Sequence, residues 1–161
     1  MRDVEYCGDP QQVEIYPGVT HAIEQLKAAG FGVYIITNQS GIGRGYFTEK
    51  AYRAVEAEVA RQVGPGLIDA TYFCPDHPGQ SSRRRKPEPG MILEAQREHG
   101  IDLTRSFMVG DKSIDVECGR AAGVRTILVA TGKQEPTDAT AADWEAHDFV
   151  EAAEIILRHA I

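Results

Sequence analysis

Long hydrophobic runs, paired cysteines and basic charge are all scarce in this sequence. Its apolar stretches stop at four or five residues, far short of the ~20 that a membrane-spanning helix needs. The opening Met1-Arg2-Asp3-Val4-Glu5 has no apolar centre of the kind a signal peptide requires. Membrane and export readings are therefore set aside, and a cytoplasmic protein is expected. Cys7, Cys74 and Cys118 are odd in number and widely spaced, which makes no disulfide framework and suits a reducing compartment. Lys and Arg total 17 against 24 Asp and Glu, a net charge of −7. Such a surface repels nucleic-acid phosphates and anionic lipid. What remains is ordinary: 161 residues, 42% hydrophobic and 25% charged, as expected for one globular domain over 1–161.

Short apolar runs alternate with longer periodic segments. Val19, Ile23 and Leu26 follow Pro17-Gly18 at helical spacing, and Gly30 ends that stretch. Gly32-Val33-Tyr34-Ile35-Ile36-Thr37 is short and apolar, as a strand buried on both faces would be. Thr48 is placed to cap a helix whose stripe is Tyr52, Val55, Val59 and Val63. Further strands are expected over 68–73, 106–109 and 124–130, and further helices over 89–99, 115–122 and 151–159. This alternation predicts an α/β fold: a three-layer, doubly wound, mainly parallel sheet. Ligands of such sheets bind beyond the carboxyl ends of the strands.

Two strand ends carry conspicuous polar tips. TNQSGIGRG at 37–45 brings hydroxyls and glycines whose backbone amides can approach an anion, although the same composition fits a plain strand-to-helix turn. Gly110-Asp111-Lys112 ends another strand, where Asp111 suits Mg²⁺ or a helix cap, and Asp115 suits the structural role. Between them runs Arg83-Arg84-Arg85-Lys86-Pro87. Pro87 and Pro89 restrain its end, so Arg85 and Lys86 are candidates for a phosphoryl group while Arg83 and Arg84 face water. Cys74-Pro75-Asp76-His77-Pro78 offers one Cys and one His, too few for a structural zinc, which takes four ligands. Cys7 and Cys118 read as buried, inert thiols.

TNQSGIGRG at 37–45, RRRKPEPGM at 83–91 and VGDKSIDVECG at 109–119 together resemble the phosphatases of the haloacid dehalogenase superfamily. The likeness is strongest to the heptose 1,7-bisphosphate phosphatases, with histidinol-phosphate phosphatases as the alternative. It implies a Mg²⁺-dependent phosphomonoester hydrolase acting on a small sugar phosphate, active as a monomer. It further implies that Thr37 and Lys86 stabilise the transferring phosphoryl group and that Asp3, Tyr6, Asn38, Gln39, Ser40 and Arg85 contact substrate. Asp111 would hold Mg²⁺, with Lys112 organising that site.

Two departures from the family pattern matter. Many relatives carry Cys-x-His and then Cys-x-Cys as zinc ligands; here Asp76, Ser82 and Arg84 replace three of the four, so no zinc is expected. The family also begins with an apolar strand ending in Asp-x-Asp-Gly-Thr, whose first Asp attacks phosphorus and whose second serves as acid and base. The 161 residues contain no Asp-x-Asp, and neither Asp3 nor Asp9 follows an apolar strand. In the family that strand is central, between the strands ending here at Thr37 and Gly110. Three accounts stay open: Met1 is internal to a longer protein, the chain is an inactive phosphosugar-binding relative, or another strand fills the place. On any of them, these residues alone are expected to hydrolyse phosphate esters negligibly.

Overall fold

The structure is a computed structural model that describes residues 1, 6–130 and 141–160. The chain divides into two compact units, Met1–Ser82 and Arg83–Ile161.

In the first unit, α1 (Val19–Ala28) buries Ile23 and Leu26 of the expected stripe together with Ala22, while Val19 is half-buried. Strand β1 (Tyr34–Asn38) is followed by a single turn, α2 (Ser40–Gly43), then by α3 (Glu49–Val63) and β2 (Ala70–Cys74). The Thr48 hydroxyl oxygen caps α3 by accepting from the Ala51 N–H at 3.1 Å, one of the donors a helix start leaves without a partner. Tyr52, Val55 and Val63 are buried along α3. β1 and β2 are parallel, in register from Tyr34 opposite Ala70 to Asn38 opposite Cys74. The strand expected over 68–73 starts two residues later because Asp69 has another task. Its carboxylate accepts from the Val33 N–H (2.7 Å) and pairs with Lys27 (2.6 Å), pinning the entrance to the strand pair.

In the second unit, α4 (Gly90–His99) precedes β3 (Phe107–Gly110), α5 (Ser113–Ala122), β4 (Arg125–Val129), β5 (Trp144–Ala146) and α6 (Phe149–His159). The strands form a parallel sheet in the order β3-β4-β5. α5 packs on β3 and β4, and α6 on all three strands. Ile127 and Thr126 of β4 are fully buried. Thr126 can sit there because Asp143 accepts from both its backbone N–H and its hydroxyl, at 2.7 and 3.0 Å, so neither of these two donors is buried without a partner. The same contact sets the start of β5, a strand too short for its three residues to show a period.

The α/β class and parallel pairing follow the alternation of elements in the sequence. One expectation is corrected. The run 32–37 was expected to be buried on both faces, yet every residue of β1 is only half-buried, as is every residue of β3. Among the described residues β1 pairs with β2 alone and β3 with β4 alone, so each lacks a neighbouring strand on one side. Among those residues, too, no helix is long and apolar enough to cross a membrane.

Candidate functional site

The first unit gathers its polar tip at the carboxyl end of β1. Thr37 and Asn38 are the last two strand residues, and Gln39 extends the pairing by donating its N–H to the Cys74 carbonyl at 2.8 Å. The Gln39 side-chain amide donates to the Thr37 hydroxyl oxygen at 3.0 Å. A hydroxyl has one donor and two acceptor sites, so this bond orients Thr37 and leaves its O–H to give to an anion. Ser40 opens α2. The loop after it is closed by three backbone bonds: Gly43 N–H to Pro75 O (3.0 Å), Arg44 N–H to Ser40 O (2.9 Å) and Tyr46 N–H to Gly41 O (2.8 Å). What composition left as either a phosphate loop or a plain turn is a firmly closed turn, with Thr37, Asn38, Gln39 and Ser40 consecutive at its root.

Tyr6 lies on the surface of the same unit, edge-on to Tyr46. Asp3, the other N-terminal candidate, falls outside the described residues. Asp9 caps the 3-10 turn Pro10–Gln12 by accepting from the Gln11 N–H at 2.9 Å. Cys74 is fully buried; its Sγ donates to Asp76 Oδ2 (3.4 Å) and lies 3.5 Å from the Ser82 hydroxyl. Positions that carry zinc ligands in the family pattern are linked here by hydrogen bonds.

The second unit holds the cationic and acidic candidates. Lys86 Nζ pairs with Asp115 Oδ1 at 2.5 Å, and the two side chains are only 12% and 5% exposed. The other carboxylate oxygen, Oδ2, accepts from the Lys112 N–H at 3.1 Å. Asp115 therefore does two things: it caps α5, the structural role its spacing predicts, and it holds Lys86. No local pattern signals the second, because 29 residues separate the partners. The Lys86–Pro87 bond is cis, and the turn beyond it is tied down by Glu88 N–H to Arg85 O (2.9 Å) and by the Cys118 thiol donating to Glu88 O (3.3 Å). Burial pushes that thiol up to about 11, as expected for an inert core cysteine.

Arg85 is half-buried and Arg83 is exposed, while the Arg84 side chain is 40% exposed and has a partner as well. It donates through Nε to Glu94 at 2.9 Å, which fixes the start of the basic run onto α4. Asp111 sits just past β3, half-buried, and among the described residues its carboxylate makes no hydrogen bond or ion pair. Lys112 keeps its side chain exposed; what it contributes locally is its N–H to Asp115. Gly110 explains how so much fits in one place: a Cβ there would run into the Asp115 carboxyl. A Gly110→Ala variant is therefore expected to lose about 1–3 kcal/mol of stability, and Lys86 with it would lose its anchor. A urea midpoint unchanged from wild type would show that Asp115 is not wedged there.

A HAD-hydrolase-like family model matches residues 83–154. Over 165 aligned residues the chain is 36% identical to the D-glycero-beta-D-manno-heptose-1,7-bisphosphate 7-phosphatase of Yersinia pestis, covering 96% of this chain and 88% of that protein. It is 38% identical over 152 residues to the corresponding alpha-anomer 7-phosphatase of Burkholderia mallei, covering 88% and 79%. Among solved structures it resembles the D,D-heptose 1,7-bisphosphate phosphatase from B. bronchiseptica complexed with magnesium and phosphate. That match has a TM-score of 0.83 at 29% identity and covers 99% of this chain and 93% of that one. With relatives this similar over nearly their whole length, the chain belongs to the phosphatases of the haloacid dehalogenase-like hydrolase family.

Proposed function

We propose that the chain forms the core domain of a cytoplasmic, monomeric, magnesium-dependent phosphatase for heptose 1,7-bisphosphate. The observation that carries the proposal is the largely covered Lys86, 12% exposed and held by Asp115, four residues from Asp111, whose carboxylate makes no hydrogen bond or ion pair among the described residues. A lysine that costly to bury is kept where a compact positive charge is needed, and it lies in the motif that the heptose phosphatases share. Their names supply the substrate: the relatives act on heptose 1,7-bisphosphate.

In this reading Lys86 neutralises a phosphoryl oxygen and the Thr37 O–H donates to another, which is the electrostatic work phosphoryl transfer asks of a protein. Asn38, Gln39, Ser40, Arg85, Tyr6 and Asp3 line the sugar phosphate. Magnesium is held well by one or two carboxylates together with water and substrate phosphate. The unpaired Asp111 fits one such place, and among the described residues no group of three His, Cys, Asp or Glu offers a fuller cage. Bound there, the ion would supply charge neutralisation of the phosphoryl group. Lys112 positions that site through its N–H to Asp115. No zinc is included in this reading, since Asp76, Ser82 and Arg84 stand at three of the four positions where the family pattern has ligands.

A second reading is favoured by one observation: the 161 residues lack any Asp-x-Asp. They would then act as a phosphosugar-binding module without turnover. Both readings require binding. Titration calorimetry of the 161-residue chain with heptose 1,7-bisphosphate and Mg²⁺ is expected to give saturable heat that is lost on replacing Asp111 with Ala. Absence of any binding at millimolar ligand would overturn both.

A further inference from the structure

We propose that Tyr46, with Tyr6, forms the wall that recognises the carbon skeleton of the sugar, a specificity-determining role that rests on the phosphosugar reading above. Tyr46 is 61% exposed, more than any other large hydrophobic residue among those described, and Tyr6 is 39% exposed. Exposure alone would leave Tyr46 an ordinary surface residue. It is, however, rigidly held. Its N–H bonds the Gly41 carbonyl at 2.8 Å. Its ring meets that of Tyr6 at 4.9 Å between centroids and 80° between planes, the edge-to-face geometry that aromatic quadrupoles favour.

The next residue, Phe47, is seated by the absence of side chains. A Cβ on Gly41 would strike the Phe47 ring and approach Tyr6, and a Cβ on Gly8 would strike Phe47 as well. The segment around Tyr6 and the loop around Tyr46 are thus joined over Gly41, the residue after Ser40. The two paired rings thus meet the chain at Gly41, the residue that follows Asn38, Gln39 and Ser40.

Apolar faces next to a few placed polar groups are the usual composition of a site for a small organic ligand. A sugar offers both kinds of surface: C–H faces for the rings and hydroxyls for the amides. Inorganic phosphate offers no C–H face, and neither ring carries positive charge, so this wall adds nothing to binding phosphate alone. That difference is the test.

Dissociation constants for heptose 1,7-bisphosphate and for inorganic phosphate, both with Mg²⁺, are measured by calorimetry on wild type, Tyr46→Ala and Tyr46→Phe. The Ala variant is expected to bind the bisphosphate about threefold to tenfold more weakly while inorganic phosphate changes by less than about twofold. The Phe variant, which keeps the ring, is expected to match wild type. Equal weakening of both ligands, no weakening of either, or a Phe variant as weak as Ala would overturn the proposal. Because Tyr46 is exposed, an unchanged thermal midpoint is expected for both variants; a lowered midpoint with weakened binding of both ligands marks a structural role and also overturns it. If wild type binds neither ligand, the phosphosugar reading itself has failed. If wild type binds both and the variants behave alike, only the role of Tyr46 has.

Discussion

A Lys86→Met variant is expected to lose about 3–5 kcal/mol of unfolding free energy, because it strands the Asp115 carboxylate in a buried site without its counter-charge. The geometry leaves Asp115 little relief. Its Oδ2 retains the Lys112 N–H, but Oδ1, the oxygen that faced the ammonium, loses its counter-charge in a side chain that is 5% exposed. Removing both partners in Lys86→Met/Asp115→Leu should return much of the loss, since the desolvation cost of two charges disappears with them. Urea unfolding of the two single variants and the double variant measures this directly. A Lys86→Met midpoint equal to that of wild type would mean the pair contributes nothing and that Asp115 is solvated. Phosphate affinity, read on whatever fraction remains folded, should fall by about tenfold or more in Lys86→Met, the worth of one hydrogen bond to a charged group. The double variant should not recover that affinity even where it recovers stability, which separates holding the fold from holding the ligand.

The second large effect concerns turnover. The 161 residues alone are expected to release phosphate from heptose 1,7-bisphosphate at background rate. Joining a strand that ends in Asp-x-Asp ahead of Met1 is expected to raise Mg²⁺-dependent release by at least about a thousandfold, the scale on which a covalent nucleophile matters. Phosphate release is followed colorimetrically on both polypeptides at equal concentration. The sequence supplies the motive, since no aspartate here has another two positions away. The fold supplies a second: Asp9, the nearest described aspartate to the start, spends its carboxylate capping a turn. Ordinary turnover by the 161 residues themselves would show that some other carboxylate serves as nucleophile.

Helices were legible where a stripe was long enough to repeat. Ile23 and Leu26, and Tyr52, Val55 and Val63, are buried as their spacing requires, Val19 and Val59 of the same stripes are half-buried, and Thr48 caps where its side chain predicts. Strands were legible in kind but not in environment. Tyr34 to Asn38 have the composition of a strand covered on both faces, and composition cannot report that among the described residues β1 pairs on one edge. α2 and β5, at four and three residues, are shorter than any period can show. At the candidate site, motif order picked out Thr37, Lys86 and Asp111 individually. It did not show what fixes Lys86, because the contact with Asp115 spans distant segments, nor that Arg84 would pair with Glu94. Tyr46 was passed over because an isolated aromatic in a glycine-rich loop has no periodic partner; only the folded loop sets it against Tyr6.

The three thiols carry a practical consequence. Cys74 and Cys118 are sealed from solvent, Cys7 is buried to 8% exposure, and none is paired with another; burial also holds Cys7 and Cys118 further from ionisation. Attack by a thiol-selective dye requires an exposed thiolate, so chromophore release would count opening events rather than surface chemistry. Cys7 and Cys74 lie in the first unit and Cys118 in the second. The unmodified polypeptide thus carries a built-in stopwatch for each half, readable in a spectrophotometer without a single engineered label.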